Sequence, residues 1–296
     1  MSTRFPQELG PALDTRPLVA DAGKGATAVD KPPPASPTEP APPRERAATW
    51  EIADIAFLKN QSKTDPVLLR ASSYMLAVKE GLKLHDQLLK IARKNVKITV
   101  EAFESRQEFF ERRNLLMGVE TKIDPAEPVN GHTDPIRARD GFLFDIDEKT
   151  GKPRGFNVLL VIPDARSDVI KSEEQCVEVS PPFRRLKMSA TLFHELLHVH
   201  QMSTKVDYGT QTIQVSRRDG AKAEDFNPDT ANTGHGDDTS FPINTSTLKL
   251  ETEGQVDPEF RARIASFVDQ VVQKFDLKAE IAKECAAFKA SAKPER

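Results

Sequence analysis

At 296 residues the chain has room for one sizeable domain or two small ones. Its formal net charge of −3 argues against the strongly basic surface that nucleic-acid binding requires, and no run of about 18 apolar residues offers a transmembrane helix. We therefore expect neither a nucleic acid nor a membrane as a partner. The only cysteines, Cys176 and Cys285, suit a reducing compartment or a single bridge.

The N-terminal segment, residues 1–47, holds 10 of the 22 prolines and few large apolar side chains. Such a segment cannot bury enough apolar surface to fold, so we expect a disordered, Pro-rich arm ahead of a folded domain at residues 48–296. The arm is a solvated tail, a translocation signal or a polyproline segment for a partner. Its start, MSTRFPQELG, lacks the apolar core of a Sec signal peptide, so an exported protein would use another route.

The first part of the expected domain alternates between helical and strand patterns. After Asp65-Pro66, apolar residues recur at helical spacing to about Lys94 and predict a long amphipathic helix. The other elements expected before residue 180 are a strand at 96–100, a helix at 104–117, a hairpin formed by 142–146 and 156–162, and a strand at 176–179.

Residues 194–200 read His-Glu-Leu-Leu-His-Val-His and contain an HExxH pattern. On a helix spanning about 182–202, His194 and His198 lie on one face, so that both imidazoles can reach one Zn²⁺. Glu195 then lies beside the open coordination position, where it can deprotonate a water whose pKa the metal lowers. These are the parts needed to hydrolyse a peptide bond.

The surroundings of this pattern favour a metal over chance. The neighbouring Leu192, Phe193, Leu196 and Leu197 make the helix apolar on nearly all sides, as expected of a buried helix. Buried polar groups must be satisfied, and a zinc ion would satisfy the two histidines. The alternative is a structural helix without catalysis.

The segment at 203–247 is long, polar and rich in Gly, Asp, Asn and Thr. Loops of this length inside compact domains are functional or disordered, so it is either a substrate-facing lid or plain disorder. Two helices are expected after it, at about 257–275 and 278–290.

A catalytic zinc site needs a third protein ligand. The downstream candidates are Glu251, Glu253, Asp257 and His235. Glu251 and Glu253 begin a segment with a structured pattern, which favours them over the other candidates. Of the two we favour Glu251 slightly as the ligand, and the other glutamate would orient a ligand histidine. His200 points to a different face of the helix from the chelating pair and is expected to support a ligand or to pack in the core.

The run Leu192–Gln201 resembles the metal helix of gluzincin-type zinc peptidases. It is especially similar to the HELxH runs of NleD-type type III secreted effector peptidases and, more distantly, of clostridial neurotoxin light chains. The order of elements from about residue 66 to 275 is similar too, as is the turn Tyr208-Gly209-Thr210. Glu251-Thr252-Glu253-Gly254 is the nearest equivalent of the family's third-ligand segment.

The resemblance implies an α+β, zincin-like metallopeptidase domain with a small mixed sheet against which the HExxH helix packs. It implies Zn²⁺ as cofactor, Tyr208 as a candidate oxyanion stabiliser, and a substrate that adds as a strand along a sheet edge. The run 156–162 is the expected neighbour of the site.

As to function, the resemblance implies an endopeptidase secreted by a type III system into the host cytosol, where it cleaves a host signalling protein. A cytoplasmic housekeeping peptidase and a zinc-stabilised interaction module without catalysis remain alternatives. The residues indicate no particular oligomeric state.

Overall fold

A computed structural model describes residues 58–60, 71, 73–117, 129–137, 144–147, 149–162, 170, 172–204 and 239–291. The Pro-rich arm, Tyr208 and His235 lie outside these ranges, as does most of the 203–247 segment. None of the helices within the ranges has the length and apolarity of a membrane span.

A four-stranded mixed sheet lies at the centre of the described residues. Its strands are β1 (Leu58–Asn60), β2 (Lys97–Phe103), β3 (Gly131–Pro135) and β6 (Gly155–Val161), in the spatial order β1-β2-β6-β3. The first three in that order run parallel, whereas β3 runs antiparallel to β6 at the sheet edge. The small mixed sheet and the α+β class are therefore confirmed.

The expected hairpin between 142–146 and 156–162 is wrong. The hairpin is a separate two-stranded unit, β4 (Ile146–Asp147) with β5 (Lys152–Pro153). Its turn is closed by Asp147, whose Oδ1 accepts from the backbone N–H groups of residues 149 and 150. The apolar run that begins at Phe156 instead forms β6 in the middle of the main sheet, because it is buried on both faces.

The helices of seven or more residues in the described ranges, numbered in chain order, are α1 (Lys79–Ala92), α2 (Arg106–Met117), α3 (Glu173–Val179), α4 (Pro181–Thr204), α5 (Pro258–Lys274) and α6 (Leu277–Ser291). Those expected at 104–117, 182–202, 257–275 and 278–290 are confirmed within a few residues. The helix expected from 66 to 94 is interrupted at Val78, whose backbone is extended.

The strand expected at 176–179 is wrong, because these residues belong to α3. Ser172 caps this helix by accepting from the N–H of Gln175 at 3.1 Å, and two glutamates in the first turn favour its start. Within α3, Cys176 forms a disulfide with Cys285 of α6, their Cα atoms 5.8 Å apart. Of the two possibilities that the cysteines left open, the structure has the single bridge.

Two apolar clusters cover opposite faces of the sheet. The main core lies between the sheet and the long helices and receives Phe156, Val158 and Leu160 of β6. The smaller cluster lies under α2 and receives Leu159 and Val161. Side chains alternate along a strand, and residues paired directly across two strands lie on the same face. The two clusters on β6 therefore show which face each side chain of the adjoining strands occupies.

Candidate metal centre

The two histidines of the HExxH run approach each other on one face of α4. Nε2 of His194 lies 2.9 Å from Nε2 of His198, and the ring planes are inclined at 70°. Two atoms at this separation can both lie about 2.0–2.1 Å from one ion, the usual Zn–N distance, so the pair fits the metal that the pattern implies. The separation also suits an N–H···N hydrogen bond between the rings.

Two phenylalanines pack against the histidine pair. The ring of Phe260, in the first turn of α5, has its centroid 5.2 Å from that of His194 and 5.0 Å from that of His198. Phe241 lies edge-on to His194 at 4.6 Å. Asp257 positions Phe260, because its Oδ1 accepts from the Phe260 N–H as the N-cap of α5. The pair is thus held in a largely apolar setting.

The carboxylate of Glu195 points towards the edge strand β3. Oγ1 of Thr133 lies 2.7 Å from Oε2 of Glu195 and 3.1 Å from the Glu195 carbonyl oxygen, so its proton is shared between these two acceptors. Glu195 is only 6% exposed and Thr133 4%. The hydroxyl therefore orients a buried carboxylate at the boundary between α4 and the sheet.

The backbone of β3 has one paired side and one outer side. His132 and Asp134 are paired with Leu159 and Asn157 of β6 in the hydrogen-bonded positions of the antiparallel ladder. The main-chain groups of Gly131 and Thr133 therefore point outwards, where no described strand pairs with them. Pro135, which lacks an N–H, also falls on this outer side, as edge prolines do.

The run 156–162, the expected neighbour of the site, forms β6, which packs against the HExxH helix α4. β6 is paired on both sides, and the strand that combines a free edge with contact to Glu195 is β3. The sequence Gly131-His132-Thr133-Asp134-Pro135 has no apolar alternation, so its pattern predicts neither the strand nor the contact of Thr133 with Glu195. A glycine and a proline flanking polar residues were the only signals of an edge.

Glu251 and Glu253 lie in a turn segment that also carries Phe241. Bridges between Ser240 and Glu253, and between Ile243 and Leu250, fold the segment back on itself. Both glutamates are exposed; Oε1 of Glu251 accepts from Asn244 at 2.8 Å.

Neither glutamate joins the histidine pair in a recognisable metal-binding group. Within the described ranges, no three His, Cys, Asp or Glu side chains form a group able to hold a metal ion. The assignment of Glu251 or Glu253 as third ligand stays a prediction. Asp257, also considered for this role, has its carboxylate engaged as the cap of α5.

Comparisons with protein-family models, with curated proteins and with solved structures returned no match for this chain.

Proposed function

We propose that the protein is a zinc-dependent endopeptidase with a zincin-like domain. The observation that carries the proposal is the arrangement on α4: two imidazole Nε2 atoms 2.9 Å apart, and one residue along, a buried carboxylate directed at the edge strand β3.

His194 and His198 would hold the ion through their Nε2 atoms, with Glu251 or Glu253 as the proposed third ligand. When bound, the ion supplies Lewis acidity, which polarises a carbonyl and makes water more acidic. The aromatic rings of Phe241 and Phe260 restrict the orientations of the two imidazoles.

Glu195 is the proposed general base and acid. Its carboxylate would take a proton from the attacking water and return it to the leaving amine. Thr133 fixes the orientation of this carboxylate through the 2.7 Å contact. Being buried, the carboxylate acts in a setting of low dielectric constant, where a proton transfer partner interacts more strongly than in water.

The proposed substrate is a protein segment in extended form. The outward main-chain groups of Gly131 and Thr133 can pair with such a segment as an added strand, and these residues are the ones that touch Glu195. A peptide bond in this added strand would therefore lie beside the carboxylate.

The family resemblance extends the proposal to a type III effector that cleaves a host signalling protein in the host cytosol. A cytoplasmic housekeeping peptidase would use the same residues. Tyr208 is the proposed oxyanion stabiliser in either case.

The proposal is tested by metal analysis and peptidase assay of four proteins. Wild type should carry about one zinc per chain, His194→Ala and His198→Ala should lose it, and Glu195→Gln should keep it while losing roughly 10²–10⁴-fold in cleavage of a peptide library. If wild type binds no zinc when zinc is supplied, or if Glu195→Gln cleaves at the wild-type rate, the proposal is wrong.

The enclosure of the histidines by Phe241 and Phe260 favours one competing function, a closed structural zinc site in an interaction module. A hydroxamate separates the two, because it needs an open coordination position. Competitive binding of a hydroxamate by the zinc protein supports the peptidase, and the absence of binding supports the module.

A further inference from the structure

The face of β3 turned away from Glu195 carries a second cluster of polar side chains. His132 and Asp134 alternate with Gly131 and Thr133, so they point to the opposite face of the sheet, beneath α2. Arg137, which follows β3, donates to Asp134, and the positive charges of Arg137 and of Arg113 on α2 act on both His132 and Asp134. Side-chain exposures of 17% for Arg137 and 6% for Asp134 place the cluster just below the surface.

The carboxylates on this face already have partners. Arg137 donates through Nε and Nη2 to the same oxygen of Asp134, at 3.1 and 3.0 Å. Arg112 forms a two-pronged pair with Glu101 at 2.9 and 2.8 Å. Among the residues described, Arg113 is left as a cation without a carboxylate.

Three nitrogen atoms of the cluster are buried without a hydrogen-bond partner among the described residues: Nε of Arg113, Nη1 of Arg137 and Nε2 of His132. Leaving such groups unsatisfied destabilises the folded protein, and more strongly when they are charged. Three in one cluster are unusual, since buried polar groups are almost always paired.

Aromatic rings hold the two guanidinium groups. The guanidinium carbon of Arg113 lies 5.6 Å from the ring centroid of Phe110, and that of Arg137 lies 4.6 Å from the ring centroid of Phe144. Such an arrangement leaves the in-plane N–H groups that have no partner, those of Nε of Arg113 and Nη1 of Arg137, free to point at a ligand.

The electrostatics of the cluster show an excess of positive charge. Burial, together with the charges of Arg113 and Arg137, lowers the pKa of His132 to about 3, so its ring is neutral at pH 7. Burial raises the pKa of Asp134 to about 6 against the opposing effect of the same two arginines. At pH 7 the Asp134 and Arg137 charges cancel, and the charge of Arg113 is uncompensated.

We propose that Arg113, Arg137 and His132 bind a small oxyanion, a phosphate or a carboxylate group, on the face of the sheet opposite to the HExxH helix. An oxyanion has enough acceptor lone pairs for both guanidinium N–H groups and for a His132 tautomer protonated at Nε2. Its negative charge would also compensate that of Arg113. This site does not depend on the proposed peptidase function.

Thermal unfolding of the full chain in phosphate or succinate, with chloride adjusted to constant ionic strength, tests the site. Phosphate or succinate at about ten times its Kd should raise the Tm by roughly 3–6 °C, and above the Kd the shift should grow with the logarithm of the anion concentration. Arg113→Met should abolish this shift. The matched control is Arg112→Met, which removes a cation already paired with Glu101 and should leave the shift in place.

The two anions also identify the ligand. A shift with succinate alone assigns a carboxylate ligand, and a shift with phosphate assigns a phosphate group. If Arg113→Met fails to fold, a second variant, Arg113→Lys, replaces it in the test. Arg113→Lys keeps the positive charge but lacks Nε, and it should weaken anion binding several-fold. The inference is overturned if neither anion raises the Tm above its value in chloride, or if the Tm shift is unchanged in the Arg113 variants.

Discussion

Gly131 lies so close to Glu195 that a β-carbon at position 131 would overlap Oε1 of the carboxylate and would stand 2.8 Å from its Cγ and Cδ. No side chain other than hydrogen fits this space while Glu195 keeps its position. The glycine at the start of the edge strand therefore permits the carboxylate to lie directly against the strand's backbone.

Gly131→Ala should destabilise the protein by about 1–3 kcal/mol and lower any Glu195-dependent activity, because the carboxylate must move. Urea unfolding measures the first effect. In a Glu195→Ala background the same substitution should cost much less, since the crowding atoms are gone. An equal cost in both backgrounds would show that Glu195 is not what the new methyl group meets.

Thr133→Val removes the hydroxyl that orients Glu195 and keeps the side-chain shape. We expect a loss of about 1–3 kcal/mol in unfolding free energy. Under the proposed function, peptidase activity should also fall at least about tenfold, with the zinc content unchanged. Thr133→Ser retains the hydroxyl and should keep most of the stability and most of the activity. If the Thr133→Val and Thr133→Ser variants behave alike, the 2.7 Å contact has no role.

Phe260→Ala should destabilise the protein by about 3–5 kcal/mol, as expected for a fully buried aromatic ring, and should weaken zinc binding because the ring contacts both histidines. Chelator competition measures the zinc affinity. Phe267→Ala, on the same helix, removes a ring that stacks on Phe193 and should reduce stability without a comparable loss of zinc affinity.

The neutral state of His132 predicts an acid-dependent loss of stability. The native pKa, about 3, lies below the unfolded value of 6.5, so the unfolded chain takes up the proton first. His132 therefore contributes stability above pH 6.5 that is lost as the pH falls towards 3.

The check is Tm between pH 7 and 4 in amine buffers that contain no oxyanion. His132→Gln should lose less stability than wild type over this range. Asp134 has a native pKa raised to about 6, so between pH 6 and 3.8 it makes the folded protein more stable as the pH falls. Asp134→Asn should therefore lose more stability than wild type on acidification. Parallel curves for all three proteins would contradict the assignment.

The Cys176–Cys285 bridge closes a sequence separation of 109 residues and joins α3 to α6. Replacing both cysteines by serine should lower the unfolding free energy by about 2–5 kcal/mol, and wild type in reductant should match the variant. Thiol titration of the unreduced, denatured chain should find no free thiol; two per chain would mean that the bridge does not form.

Local pattern was enough to predict the helices that form the framework of the site. The apolar positions of α4 and the stripe of Phe260, Ile264 and Phe267 in α5 repeat at the period of a helix, and each pattern is internal to its own segment. For the same reason the spacing of His194 and His198 was enough to predict that their rings lie together. The two residues lie on successive turns of one helix and on the same face of it.

Pattern failed where partners decide the structure. Cys176 to Val179 read as a strand, but a capping serine and packing of α3 against α4 and α6 make it a helix. The polar strand β3 forms because its backbone can hydrogen-bond to β6. The residues of β3 do not show the apolar alternation that would predict a strand.

The sequence by itself thus determined which helix carries the histidine pair, since helical periodicity depends on neighbours within a few residues. Only the tertiary structure decided what surrounds that pair: Thr133 and Gly131 against Glu195, and Phe241 and Phe260 against the rings. These contacts join residues more than 40 positions apart, and such distances are set by sheet order and packing, which local pattern does not encode.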